Sequence, residues 1–177
     1  MPCVPDRQRR QGAVMLMLDF RVIAPGEGHA AGRALLREMT ETYTGKPMPS
    51  ICVSAHGKPY FETGDLHFSI SHTKRRVFCA LSDSPVGIDA EEADRDISLR
   101  LAGKILSASE FSQYEAAPDK RLALLTFWVL KEAQVKYEGT GLRGYPNHTN
   151  FSLDDPRVIQ TDGCLVAVIK KENDDAL

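Results

Sequence analysis

The spacing of apolar and polar positions changes several times along the chain, and each change marks an element. Val14 to Ile23 reads as a first strand, and the polar residues ahead of it, 1–13, as a loose tail. Gly28 to Thr42 carries helix formers with Leu35, Leu36 and Met39 at helical spacing, ending at the breakers Gly45 and Pro47. Ile51 to Ser54 and Lys58 to Phe61 read as short strands about a turn at His56-Gly57. Leu66, Phe68 and Ile70 then alternate with His67, Ser69 and Ser71, the period of a half-buried strand. Val77 to Leu81 is its expected partner, which makes His72 to Arg76 the basic tip of an antiparallel hairpin. Val86 to Glu91 is a further strand after Pro85.

Beyond Glu91 the pattern becomes helical. It predicts helix over Ile97 to Ile105, a second helix opened by the capping box Ser107-Ala-Ser-Glu110, and a long one from about Asp119 to Tyr137, stopped by Gly139 and Gly141. Phe151 to Leu153, Val158 to Gln160 and Cys164 to Ile169 close the chain as expected strands. Strands and helices mix without a regular βαβ alternation, so the expected class is α+β.

A chain of 177 residues suits one compact domain or two small lobes sharing a core. The 22 basic residues against 24 acidic ones argue against general binding to nucleic acid or an anionic membrane, so any basic site must be local. Cys3, Cys52, Cys79 and Cys164 show no CxxC or zinc-like spacing and read as reduced thiols. No run approaches a membrane helix. The basic stretch Arg7 to Arg10 leads only into the short apolar run Ala13 to Leu18, cut off at Asp19, so a cytoplasmic protein is expected, with Met15 and Met17 as alternative starts.

Three clusters could carry chemistry. Asp89 and Glu91, two apart on a strand, project to one side as a pair of hard oxygen ligands that suits magnesium; a solvated acidic turn running on to Glu92, Asp94 and Asp96 fits the same residues. On the long helix, Trp128, Lys131, Glu132, Val135 and Lys136 share one stripe, which also reads as an ordinary exposed face with a favourable Glu132–Lys136 pair. Ser69-Ile-Ser71-His72 with the basic turn, together with Gly57-Lys58-Pro59, could hold phosphate through charge-assisted hydrogen bonds, or form a solvated hairpin tip.

Taken in order, Gly57-Lys58-Pro59, Phe68-Ser-Ile-Ser71-His72, Val86-Gly-Ile-Asp89-Ala-Glu91 and Trp128-Val-Leu-Lys131-Glu132-Ala133 with Lys136 resemble the signature series of the Sfp-type 4'-phosphopantetheinyl transferases. Gly32-Arg33 resembles that family's glycine-arginine pair, and the resemblance runs from about Gly32 to Leu142. It implies two similar α+β lobes, about 14–85 and 86–177, in a pseudo-twofold arrangement, with coenzyme A as substrate in the cleft between them and a monomeric protein. It also implies magnesium, or manganese, on Asp89, Glu91 and Glu132. Glu132 would be the general base, Asp89 and Lys136 would share the catalytic work, and Arg33, Lys58, Ser71, His72, Lys131 and Lys136 would hold the phosphates. The implied partner is an apo acyl or peptidyl carrier protein, and Ala93 to Leu106, with Arg100 and Lys104 four apart, is a candidate docking segment.

Two features depart from the family pattern. The stretch between the first strand and Gly32-Arg33 is markedly shorter than is typical and lacks basic residues usually placed near the nucleotide 3'-phosphate; Arg75 or Arg76 is a candidate substitute. Ala90 stands where a larger apolar residue is common. A magnesium-dependent nucleotide pyrophosphohydrolase and a noncatalytic coenzyme A or carrier-binding module remain open as alternatives.

Overall fold

The computed structural model of the protein describes residues 15–141 and 149–170, so the expected tail over 1–13 lies outside the described residues. The first half runs β1 (Leu16–Val22), α1 (Gly28–Thr44), β2 (Ile51–Val53), β3 (Pro59–Phe61), β4 (His67–His72) and β5 (Arg76–Ser82). The second half runs β6 (Val86–Glu92), a 3-10 turn (Leu99–Leu101), α2 (Ala102–Ile105), α3 (Ala108–Ala116), α4 (Lys120–Glu138), β7 (Val158–Thr161) and β8 (Cys164–Lys170). This mixture bears out the α+β class.

Each half builds a three-stranded antiparallel sheet in the same order. The first strand pairs with the last, and the last with the one before it: β1-β5-β4 in one half, β6-β8-β7 in the other, with β2-β3 as a separate ribbon. The period of two in β5 sends Val77, Cys79 and Leu81 into a core under α1, and Phe78 and Ala80 the opposite way. In β8, Leu165, Ala167 and Ile169 likewise face the core under α4, while Cys164, Val166 and Val168 join Phe78, Ala80, Val86, Ile88 and Ala90 between the two sheets. The halves therefore share an apolar layer. Leu124, Phe127 and Leu130 of α4 are fully buried, each a side chain whose removal from water is worth about 1.5–3 kcal/mol.

Helix ends follow the local chemistry. Ser107 accepts from the Glu110 N–H and Glu110 accepts from the Ser107 N–H, a complete capping box. Asp119 caps α4 through the Leu122 N–H, and Gly139 ends it at φ 70°, a left-handed conformation that glycine adopts without steric cost. Two sequence expectations fail. Phe151 to Leu153 is not a strand: the Phe151 N–H donates to Glu110 Oε1 at 3.0 Å and the Leu153 N–H to Gln113 Oε1 at 3.1 Å, so α3 side chains satisfy backbone that a sheet ladder would otherwise take. The helix expected over Ile97 to Ile105 begins only at the 3-10 turn, because Ser98 is extended (ψ 115°) and lets Ile97 turn inward, where it is buried.

Candidate active site

A cleft of about 600 Å³ opens where the two halves meet. Its floor is made by β4 and β6 lying side by side. Ser69 Oγ accepts the Ile88 N–H at 3.1 Å and Ser71 Oγ accepts the Ala90 N–H at 3.2 Å, so the alternating serines of β4 act as backbone partners for β6. Ser71 also donates to Asp89 Oδ1 at 2.9 Å, and Lys136 Nζ of α4 meets the same oxygen at 2.7 Å. One carboxylate oxygen thus ties both halves and α4 together. The other, Asp89 Oδ2, is buried and has no hydrogen-bond partner among the described residues. A buried anionic oxygen without a donor is costly unless a cation or donor supplies the missing contact.

The approach of α4 to β6 depends on Gly87. A Cβ there would lie 2.1 Å from the Ala133 carbonyl oxygen and 2.4 Å from the Tyr137 nitrogen, so no larger residue lets helix and strand approach this closely. With α4 this near, the alternating residues Gly87, Asp89 and Glu91 face it. Asp89 meets Lys136, and Glu91 takes a hydrogen bond from Trp128, eight residues earlier on the helix. Glu132, four residues from each, therefore lies on the same stripe between them and is half-buried. Glu91 is also paired with Arg95, whose guanidinium stands 5.7 Å from the Trp128 ring centroid. Burial first, and then the Asp89 charge, push the Glu91 carboxyl above its usual range. Among the described residues, no group of three or more His, Cys, Asp or Glu side chains is gathered closely enough to hold a metal ion.

Basic side chains complete the lining. Arg33, exposed on α1, His72 at the end of β4 and Lys58 from the β2–β3 turn all line the cleft. Lys58 Nζ donates to the Tyr137 carbonyl at the C-terminal end of α4 at 2.9 Å, where the helix dipole favours a cation, and burial lowers its pKa. His29 and His56 also line the cleft, and the His29 ring meets His72 edge-on at 5.1 Å between centroids. Neither histidine stood out in the sequence: one lies in the first turn of α1 and the other in a tight turn, and only the fold brings them beside His72.

Three expected residues are placed elsewhere. Lys131 does not reach the cleft: it is fully buried, its Nζ 2.9 Å from Glu110 Oε2 and 5.8 Å from the Phe151 ring centroid. The helical stripe misassigns it because one residue's rotation from Glu132 turns it about 100° into the core. Arg75 and Arg76, the candidate substitutes at the 3'-phosphate, point to a separate depression. There Arg75 pairs with Glu92 at 2.9 Å and with Asp94, and Arg76 pairs with Asp162. Their charges are already compensated, and neither lines the cleft.

Comparison with known proteins gives a consistent neighbourhood. Residues 85–170 match the family model described as the 4'-phosphopantetheinyl transferase superfamily. The chain is similar to the 4'-phosphopantetheinyl transferase psf-1 of Bacillus pumilus, at 32% identity over 128 residues covering 70% of this chain and 54% of that protein. It is also similar to the 4'-phosphopantetheinyl transferase Sfp of Bacillus subtilis (strain 168), at 41% over 91 residues, 49% of this chain and 40% of that protein. The 4'-phosphopantetheinyl transferase gsp of Aneurinibacillus migulanus is 34% identical over 89 residues, 49% of this chain and 37% of its own. The chain spans about half the length, or less, of these curated relatives.

Proposed function

Because residues 85–170 match the 4'-phosphopantetheinyl transferase superfamily model, we propose that the chain moves the 4'-phosphopantetheine group of coenzyme A onto a serine of an apo acyl or peptidyl carrier protein. The observation that carries this reading is the Asp89 carboxylate, held by Ser71 and Lys136 on one oxygen and, among the described residues, left without a partner on the other, at the floor of a cleft also lined by Arg33, Lys58 and His72. The repeated strand order supports two lobes in a pseudo-twofold arrangement, with the cleft between them as the coenzyme A site. No helix among the described residues is long and apolar enough to cross a membrane, which agrees with a cytoplasmic setting.

The residues fit a divalent cation. Asp89 Oδ2 lacks a donor among the described residues, and Glu91 is pushed toward protonation by burial and by Asp89, so a hard cation would relieve both. Asp89 and Glu91 would hold it; the three carboxylates are not gathered in this structure, so Glu132 from α4 would complete the set only by turning toward the ion. When bound, magnesium or manganese supplies charge neutralisation at a pyrophosphate. Everything else falls to the chain's own side chains. Arg33, Lys58, Ser71 and His72 grip the phosphates of coenzyme A, and Lys136 orients Asp89 while offsetting phosphate charge. Lys131 has no part in this binding.

The chemistry balances as a displacement at phosphorus. The carrier serine oxygen bonds to the phosphorus bearing pantetheine, the phosphorus–oxygen bond to the nucleotide breaks, and adenosine 3',5'-bisphosphate leaves. The serine proton passes to Glu132, directly or through one water. Positioning and charge stabilisation account for the rate, and no covalent enzyme intermediate forms. Arg100 and Lys104, both exposed, supply the basic docking surface for an acidic carrier.

Quantifying adenosine 3',5'-bisphosphate from coenzyme A and magnesium, with and without apo carrier, tests the proposal. Release that requires carrier supports transfer. Equal release without carrier would instead identify a pyrophosphohydrolase, and no release despite coenzyme A binding a noncatalytic module.

A further inference from the structure

Among the described residues β1 is an edge strand of the β1-β5-β4 sheet, and one of its faces is apolar and exposed. Leu18 is 43% exposed, Phe20 39% and Val22 72%, although Phe20 stacks on the buried Phe78 at 5.5 Å between centroids. These three alternate residues point away from α1, whereas Met15 and Met17 pack into the core beneath that helix. The strand contains neither proline nor lysine, the residues that commonly blunt an open edge.

The phase of its hydrogen bonds is fixed. Val22 stands opposite Arg76 in the ladder, and the next residue, Ile23, donates to the Arg75 carbonyl at 2.8 Å. Odd-numbered residues therefore bond to β5, and the N–H and C=O groups of Leu18, Phe20 and Val22 point outward. The Phe20 N–H agrees with this phase: among the described residues it is met only by its neighbour's side chain, Asp19 Oδ1, at 2.8 Å.

We propose that the protein forms a two-fold dimer by antiparallel pairing of β1 with β1 of a second copy, centred on Phe20, in place of the monomer that the family resemblance implies. In this register Phe20 faces Phe20 and Leu18 faces Val22 as hydrogen-bonded pairs, continuing the sheet across the two chains. On the opposite face, Asp19 of each copy stands across from Arg21 of the other, in the closer non-hydrogen-bonded spacing, and two-fold symmetry makes that ion pair twice. Centring the pairing on Asp19 sets two carboxylates opposite each other, and centring it on Arg21 sets two guanidiniums opposite, so the charges select the Phe20 register. Arg21 already pairs with Glu38 of its own α1, and in the dimer it lies between two carboxylates.

Sedimentation velocity of the full chain over about 1 to 100 µM, alongside charge-swap variants, tests this. The chain is expected to pass from one to two copies in mass across the range, and Phe20→Lys to remain monomeric while still unfolding cooperatively, with a lower melting temperature because its stacking on Phe78 is lost. Asp19→Arg and Arg21→Asp should each weaken the dimer by about tenfold or more, and the double variant D19R/R21D should restore it, because the pair is rebuilt with its charges exchanged. A full chain that stays monomeric overturns the proposal. So does a dimer that persists in Phe20→Lys, or a double variant no tighter than the two single ones.

Discussion

Replacing Lys131 by methionine separates a buried structural role from a phosphate-binding one. Methionine keeps the apolar stem and removes only the ammonium group, which stands 2.9 Å from Glu110 Oε2 with both residues fully buried. Glu110 would then be left in the interior with the Ser107 N–H at 2.8 Å and the Phe151 N–H at 3.0 Å as its remaining donors. Removing one partner of a buried ion pair commonly costs about 3–5 kcal/mol, and the two retained donors place the loss near the lower end, about 3 kcal/mol. For a chain of this size that corresponds to a fall in Tm of roughly 6–12 °C. Because Lys131 lies behind the cleft wall, KM for coenzyme A, measured where the variant is fully folded, should stay within about twofold of the wild type. Urea and thermal unfolding give the first number and steady-state kinetics the second. A variant of unchanged stability whose KM for coenzyme A rises strongly would refute the assignment and return Lys131 to the substrate.

Further predictions follow from close contacts and charges. Gly87→Ala forces β6 away from α4 by backbone contact alone and should cost about 1–3 kcal/mol in urea unfolding, together with most of the activity; wild-type stability would contradict the account of how Asp89 meets Lys136. Gly28→Ala places a Cβ 2.6 Å from His72 Cγ, so His72 must swing aside; KM for coenzyme A should rise while Tm hardly moves, and an unchanged KM would remove His72 from the site. Hydrogen bonds from Arg157 hold the Asp155 carboxyl below its ordinary range, so its stabilisation is full above the unfolded pKa near 3.8 and is lost as pH falls through the lower folded value. Asp155→Asn should therefore flatten the acid limb of stability against pH, and an unaltered limb would show that the pair contributes nothing there. Glu132→Gln should lower kcat by about 10²–10⁴-fold if Glu132 takes the serine proton, and a loss below about tenfold would relegate it to an accessory role.

Much of this arrangement was legible before the fold. The alternation of Phe68 and Ile70 with Ser69 and Ser71 announced a two-faced strand, and the structure uses both faces, one for core and one to bind β6. The capping box at Ser107 and the glycine stop at Gly139 are local signals that tertiary packing did not override. Lys131 was misread because a helical stripe cannot tell an exposed cation from one paired inside, and its partner Glu110 lies 21 residues earlier, disguised as a simple capping residue. Phe151 to Leu153 failed for a related reason: its apolar residues are core residues, but α3 side chains take the backbone groups that would make it a strand. The basic lining was only half visible, since Arg75 and Arg76 carry the densest charge in the sequence yet are neutralised by Glu92, Asp94 and Asp162, whereas His29 and His56 reach the cleft from unremarkable turns.

The most direct test is intact-mass spectrometry of several apo carrier proteins incubated with this protein, coenzyme A and magnesium, with and without a chelator. The account predicts a gain of about 340 Da, one phosphopantetheine group, on the serine of at least one carrier, abolished by the chelator and absent with Asp89→Asn. Coenzyme A consumed with every carrier left at its starting mass would contradict it.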